Sequence, residues 1–212
     1  MVTKTFEASD TAVLLIDHQV GTMQLIKNIP LEVAKRNTIA LAKAARILKL
    51  PVVLTSSQED RLQGPLIPEL REILPEAFDR RVKRAGIVNA WSDPAFRAAV
   101  IATGRRNLIM AGVTTDVCLI FPAIDAVHEG FRVQAVLDAS GSPFAQSEDF
   151  AQRRMANAGV ILTATNTAIA ELAQDWSTPA GAQLIQLLFT DVLPSISREA
   201  IRPHAPQPEF KE

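Results

Sequence analysis

A three-layer α/β fold, with a parallel sheet between two layers of helices, is what this sequence predicts. Short runs of aliphatic and β-branched residues alternate along the chain with helical stretches of ten or more residues. That alternation places crossover helices over both faces of a parallel sheet. The first run, AVLLI at 12–16, contains no polar residue, as a strand buried on both faces requires. With 212 residues and a mass of 23.1 kDa the chain can bury one full α/β core but hardly two. Residues 1–212 therefore read as one domain, with a helical extension from 175 onward.

After the strand 12–16, residues Val33, Ile39, Leu41, Ala44, Ile47 and Leu48 recur at helical spacing within 31–50. Pro51 closes that helix, and 52–55 is the second strand. Residues 56–78 hold three prolines, Pro65, Pro68 and Pro75, and little periodicity. They predict a long connection with a turn or two of helix near 68–74, and long connections in compact domains are often functional. A short third strand is expected at 80–84. Asp93 and Pro94 read as the N-cap and first turn of the next helix. The fourth strand is 107–113, followed by a helix over 115–129 stopped at Gly130 and a fifth strand at 132–137. A helix over 147–158 stops at Gly159, 160–163 is the sixth strand, and a last helix runs from Asn166 toward Gln174. Within 180–189, Leu184, Ile185, Leu187, Leu188 and Phe189 crowd onto a finished domain. They predict a helix docked on its own body or on a neighbouring subunit.

Charge and composition exclude several functions. Lys plus Arg (22) nearly balances Asp plus Glu (23), so the basic surplus that gives nucleic acids or anionic membranes their sequence-independent affinity is missing. One cysteine permits neither an internal disulfide nor a multi-cysteine metal site, and it suits a reducing cytosol. The beginning, MVTKTFEASD, lacks the apolar run of a secretion signal, and no stretch approaches membrane-spanning length. A soluble cytoplasmic protein is the expectation. The three histidines, His18, His128 and His204, form no metal-binding pair at short spacing. No GxSxG elbow is present, and Asp17-His18-Gln19 stands where a dinucleotide fold carries GxGxxG.

In open parallel sheets the ligand crevice lies beyond the carboxyl ends of the strands. Asp17 and Cys118 both fall there. An acid directly after buried aliphatic residues is partly desolvated, which raises its pKa and suits it to take a proton from a thiol. Taken alone, Asp17 reads first as a helix cap or a solvated turn carboxylate, and its pairing with Cys118 is what singles it out. Cys118 ends the segment AGVTTDVC at 111–118, where Thr114 or Thr115 can cap a helix. Near a helix start the unpaired amides favour a thiolate and can hold an oxyanion. Alternatively Cys118 merely packs on the sheet, among Val117, Leu119 and Ile120. Lys83 and Arg84 are the cationic candidates, and strand alternation lets only one of them enter the crevice.

LLID at 14–17, a basic residue at 83–84 and AGVTTDVC at 111–118 resemble, in that order, the isochorismatase-like cysteine hydrolases, over roughly 11–165. Within that family the chain is most similar to the YcaC-like branch, through RAGIVNAW at 84–91, VCLIFPAIDAVHEGF at 117–131, DASG at 138–141 and Asp175-Trp176. The resemblance implies a six-stranded parallel sheet in the order 3-2-1-4-5-6 with helices on both faces. It also implies a catalytic triad of Asp17, Arg84 and Cys118, with Arg84 where most members carry lysine. Arginine stays protonated and can only orient and stabilise charge, whereas lysine can exchange a proton. The resemblance further implies a cis peptide and oxyanion site at Val113–Thr114, and it makes Gln19, Asn89 and Trp91 candidates for the substrate pocket. Thr55, Ser57 and Glu59 stand where metal-dependent nicotinamidases put their ligands, so neither metal nor other cofactor is implied. Isochorismatase-type ether cleavage is disfavoured, because members with that chemistry use no cysteine nucleophile. The expected activity is hydrolysis of a small amide or related C–N bond through a thioester, in a homo-oligomer that the resemblance makes an octamer. The competing reading is a non-catalytic or redox-responsive oligomeric protein that keeps the fold.

Overall fold

The structure is a computed structural model that describes residues 5–195. The first four residues and His204 lie outside the described range. Six strands, β1 (Thr11–Ile16), β2 (Val52–Ser57), β3 (Val82–Arg84), β4 (Asn107–Gly112), β5 (Arg132–Val136) and β6 (Ile161–Thr163), form one sheet. Its order is β3-β2-β1-β4-β5-β6 and every pairing is parallel. β1 and β4 are the central pair, in register from Thr11 against Asn107 to Ile16 against Gly112. The order reverses at that pair, so a crevice opens beyond the ends of β1 and β4.

The aliphatic run of β1 is unbroken because both of its faces are covered. Val13 and Leu15 enter one core, with α1 (Leu31–Ile47), α7 (Thr165–Ala173) and α8 (Pro179–Leu187). Ala12, Leu14 and Ile16 enter the other, with α4 (Pro94–Ala102), α5 (Ile120–His128) and α6 (Ala145–Asn157). β4 divides in the same way, Ile109 and Ala111 to the first core and Leu108 and Met110 to the second. The alanines of α1, from Ala34 to Ala45, let that helix lie close on the sheet. Asp93 caps α4 through bonds from the Ala95 and Phe96 amides at 2.9 and 3.1 Å, ahead of Pro94. Gly130, at φ 92°, ends the α5 region in a conformation that residues with a Cβ rarely adopt.

Several boundaries differ from those the sequence suggests. The first helix ends at Ile47, since Leu48 is its C-cap and Lys49 turns at φ 54° ahead of Pro51. The 56–78 connection holds two short helices, α2 (Pro68–Ile73) and α3 (Pro75–Asp79), each opened by its proline. The third strand begins only at Val82, because the Arg80 amide still bonds the Glu76 carbonyl of α3. The helix expected at 115–129 starts instead as a wide turn over Thr115–Leu119, in which the Leu119 amide reaches the Thr114 carbonyl at 3.1 Å. Regular α-helix follows only from Ile120.

The C-terminal apolar segment packs on its own domain. Leu184, Leu187 and Leu188 are buried in the core shared with α1 and α7, and Ile185 packs against it. Only Phe189 is substantially exposed, at 45 %. The five residues therefore do not form a free apolar face that calls for a second chain. Among the described residues no helix is long and apolar enough to cross a membrane.

Candidate active site

β1 ends at Ile16, and the chain turns sharply through Asp17, whose φ is 58°. Its side chain is buried. On the neighbouring strands, Thr55 of β2 and Arg84 of β3 come alongside. Arg84 is the buried member of the basic pair, whereas the Lys83 side chain is 62 % exposed and bonds Glu59 at 3.3 Å. All three guanidinium nitrogens of Arg84 are committed. Nε donates to Thr55 Oγ1 at 3.1 Å, and Nη1 donates to the carbonyls of Ile87 and Val88. Nη2 donates to both oxygens of Asp17. Thr55 is fixed in turn by its bond to the Val82 carbonyl at 2.8 Å.

The third member comes from the far side of β1. β4 leads through Gly112, where a Cβ would stand 3.3 Å from Ile16 Cβ and 3.2 Å from Leu119 Cβ. A larger residue there would press on both neighbours, so glycine suits the close approach of β4, β1 and the following turn. The Val113–Thr114 peptide is cis. The wide turn then sets Cys118 half-buried against Asp17, near enough for each group to shift the other's proton affinity.

These groups do not favour a thiolate. Burial raises the Cys118 pKa well above the ordinary thiol value, and the neighbouring Asp17 carboxylate raises it further. The expected helix-start effect is weak for a structural reason. The Cys118 amide already donates to the Thr114 carbonyl at 2.8 Å, and the Thr115 and Asp116 amides go to Gly141 O and Ser142 Oγ. The Thr114 amide, which has no backbone acceptor among the described residues, faces Cys118 and pulls the thiol pKa down, against the larger effect of burial. Asp17 is also pushed above its usual value, by burial first, with Arg84 pulling the other way. The site thus sets a thiol that resists ionisation beside a buried acid clamped by arginine.

A cavity of about 940 Å³ opens over this floor. Asp17, Arg84, Thr114 and Cys118 line it, together with Leu25, Val88, Val117 and the 57–63 loop. Gln19 also lines it, but its amide is spent on structure: it donates to the carbonyls of Ser57 (2.8 Å) and Gly64 and accepts from the Ser57 amide at 2.8 Å. Two pocket candidates lie elsewhere. Asn89 bonds Asp125 at 2.7 Å and the Trp91 amide at 3.0 Å. Trp91 packs edge-on against Phe96 and Phe131 and donates to Glu129 at 2.9 Å. An apolar ring with one polar atom is best placed between helices, where both needs are met. The pocket side chains that sequence reading missed, Leu25 and Val88, sit in segments without periodicity, where no pattern marks a wall.

Glu59, at one of the positions compared with nicotinamidase ligands, is held by Arg81, Lys83 and Ser56, with its pKa lowered to about 2 chiefly by Arg81. Its charge is thereby engaged in the fold.

Comparison with known proteins identifies relatives of the same family and fold. The family model described as the isochorismatase domain matches residues 11–167. The probable hydrolase YcaC of Escherichia coli (strain K12) is 41% identical over 170 residues, which is 80% of this chain and 81% of that protein. A solved structure of YcaC from Escherichia coli, described as an octameric hydrolase of unknown specificity, superposes with a TM-score of 0.85 at 39% identity, covering 91% of this chain and 93% of that one. YcaC from Pseudomonas aeruginosa, solved with hexane-2,5-diol and covalent acrylamide, gives a TM-score of 0.81 at 41% identity, covering 88% of this chain and 98% of that one. A chain that matches over most of its length in sequence, strand order and overall shape belongs to the isochorismatase family.

Proposed function

We propose that this protein is a hydrolase that cleaves an amide or related C–N bond through a thioester on Cys118. The observation that carries the reading is the meeting of the Cys118 thiol and the Asp17 carboxylate on the floor of a cavity, with Arg84 fixing the carboxylate. A raised thiol pKa fits attack coupled to proton transfer. Asp17 takes the thiol proton as Sγ adds to the carbonyl carbon, so no free thiolate accumulates. The oxyanion forms beside the Thr114 amide, the donor of the turn that faces the thiol. Asp17 then passes the proton to the leaving amine, and the C–N bond breaks to give the thioester. A water deprotonated by Asp17 attacks the thioester, and Cys118 leaves with that proton as the acid is released. Arg84 steadies Asp17 in its anionic form through the bonds from Nη2.

The Pseudomonas aeruginosa relative carries covalent acrylamide. Acrylamide is an electrophile, so that relative holds a reactive nucleophile, which favours nucleophilic chemistry in this chain too. The redox-responsive alternative is weakened by the raised thiol pKa, because oxidation follows thiolate character. By analogy with the octameric Escherichia coli relative, the chain is proposed to self-associate. Light scattering that returned a 23.1 kDa particle would reject this.

The test of the hydrolase is a screen of wild type and Cys118→Ala against primary amides, hydroxamates and carbamoyl compounds. A compound turned over by wild type alone, with a mass increment of its acyl group on Cys118 trapped by rapid acid quench, is the expected result. Turnover that survives Cys118→Ala overturns the mechanism.

A further inference from the structure

Resting on that hydrolase reading, we propose that the substrate is an uncharged amide bearing an apolar group of several carbons, and that anionic substrates are rejected. The argument is one of what the cavity offers. Among the described residues its one buried cation is Arg84, and every nitrogen of that guanidinium is already bonded, to Thr55, to the carbonyls of Ile87 and Val88, and to Asp17. An arginine that recognises a carboxylate needs a free edge for the paired bonds, and this one has none. An anion on the floor would instead meet the Asp17 carboxylate without compensation, which is the repulsive element that specificity requires.

The outer part of the cavity adds little charge. Asp60 and Arg61 line it, but their side chains are 80 % and 71 % exposed and lie 3.7 Å from each other. A solvated pair of opposite sign attracts neither ion strongly. Leu25, Val88 and Val117 also line the cavity, and they expose 50 %, 58 % and 37 % of their surface. Such apolar area facing a concave site favours an apolar guest. Size points the same way. A cavity of about 940 Å³ is at the large end of small-molecule sites, which run from about 300 to 1,000 Å³, and a two-carbon amide would leave most of it wet.

The experiment separates this inference from the chemistry on which it rests by measuring binding where turnover is impossible. Full-length Cys118→Ala is titrated calorimetrically with acetamide, hexanamide, N-hexylacetamide, 6-aminohexanamide and adipamate, the last matching hexanamide in chain length but ending in a carboxylate. Either hexanamide or N-hexylacetamide is expected to bind at least tenfold more tightly than acetamide, adipamate and 6-aminohexanamide. In Leu25→Lys combined with Cys118→Ala, a cation on the wall is expected to bring adipamate to within threefold of hexanamide or better. Adipamate binding as tightly as hexanamide without the lysine, absence of any gain with chain length, or no binding of either apolar amide up to its solubility limit would each overturn the proposal. Hydrolysis of the same compounds by wild type is read separately. Failure there, with the binding order intact, would remove the hydrolase and leave the recognition.

Discussion

Ser142 Oγ donates a 2.6 Å hydrogen bond to the buried Glu148 carboxylate and accepts one, at 3.2 Å, from the amide of Asp116, two residues ahead of Cys118. The rest of Ser142 is equally engaged. Its amide donates to Asn28 Oδ1 at 2.8 Å, and its carbonyl accepts from the amides of Lys27 and Asn28. One small residue therefore ties helix α6, the turn that carries the thiol and the segment behind Leu25. Ser142→Ala is expected to cost about 1–3 kcal/mol, the usual penalty for stranding a buried polar group. It should also lower kcat more than it raises KM, because the turn that aims Cys118 loses a support. Ser142→Thr should recover most of both. Chemical denaturation with steady-state kinetics on the three forms is the check, and unchanged kcat in a destabilised Ser142→Ala would confine its role to the fold.

The pH dependence of turnover should carry the signature of Asp17. The carboxyl must be ionised to accept the thiol proton, and burial raises its pKa above the ordinary aspartate value of 3.8. Activity is therefore expected to fall as pH drops through a value above 3.8, while the protein stays folded by circular dichroism. Asp17→Asn should remove the activity, and it should slow alkylation of Cys118 by iodoacetamide, since the thiol then lacks its acceptor. Faster alkylation in Asp17→Asn would mean that the carboxylate acts on the thiol only by repulsion.

Arg84 should be more costly to remove than to shorten. In Arg84→Ala the buried Asp17 carboxylate loses its partner, a change expected to destabilise by about 3–5 kcal/mol. Arg84→Lys keeps a charge but has one nitrogen where three are now bonded. It should fold with a lower melting temperature and a reduced kcat. A melting curve for Arg84→Ala that matches wild type would show that Asp17 is protonated in the folded state.

His18 predicts an acid limb in stability. It is fully buried, its Nε2 lies 2.9 Å from the Ala139 carbonyl, and its pKa is lowered to about 4, chiefly by burial. Between about 4 and the ordinary 6.5, the unfolded chain binds a proton that the folded one refuses. Stability therefore rises with pH in that window and is lost as pH falls through it, by an amount on the order of 3 kcal/mol for this residue. His18→Gln, which keeps an amide donor for Ala139, should flatten that part of the profile. Urea melts at half-unit pH steps from 4 to 7 measure the slope, and an unchanged slope in the variant assigns it to other groups.

What the sequence made legible follows from where one physical demand dominates. β1 and β4 could be read because a strand covered on both faces must be aliphatic throughout. Asp17 and Cys118 stood out because strand ends at the centre of the sheet open on the crevice. Lys83 and Arg84 differ by one position, and alternation sends one to solvent and the other to Asp17. Asn89 and Trp91 were less tractable, since a segment without regular structure gives no rule for which way a side chain turns. The start of α3 was hidden for a related reason, as Pro75 could equally mark a loop or a first helical turn. The burial of Leu184, Leu187 and Leu188 shows a further limit: composition demands a cover for such residues but does not say whose surface supplies it.

The Gln19 side chain has an implication for how such a site changes over time. Its one amide holds the end of β2 at Ser57 and the far side of the neighbouring loop at Gly64. The Gly21 amide bonds the Gln63 carbonyl at 2.8 Å, and a Cβ on Gly21 would collide with the Leu62 carbonyl. The loop is thus moored by its backbone, while the Leu62 side chain is almost wholly in solvent, at 97 % exposed. Replacing that side chain disturbs neither the mooring nor the Asp17–Arg84–Cys118 floor. Mutational drift at the rim is therefore decoupled from the reacting groups, so descendants of one ancestral floor could acquire different preferences through the rim while inheriting the same chemistry.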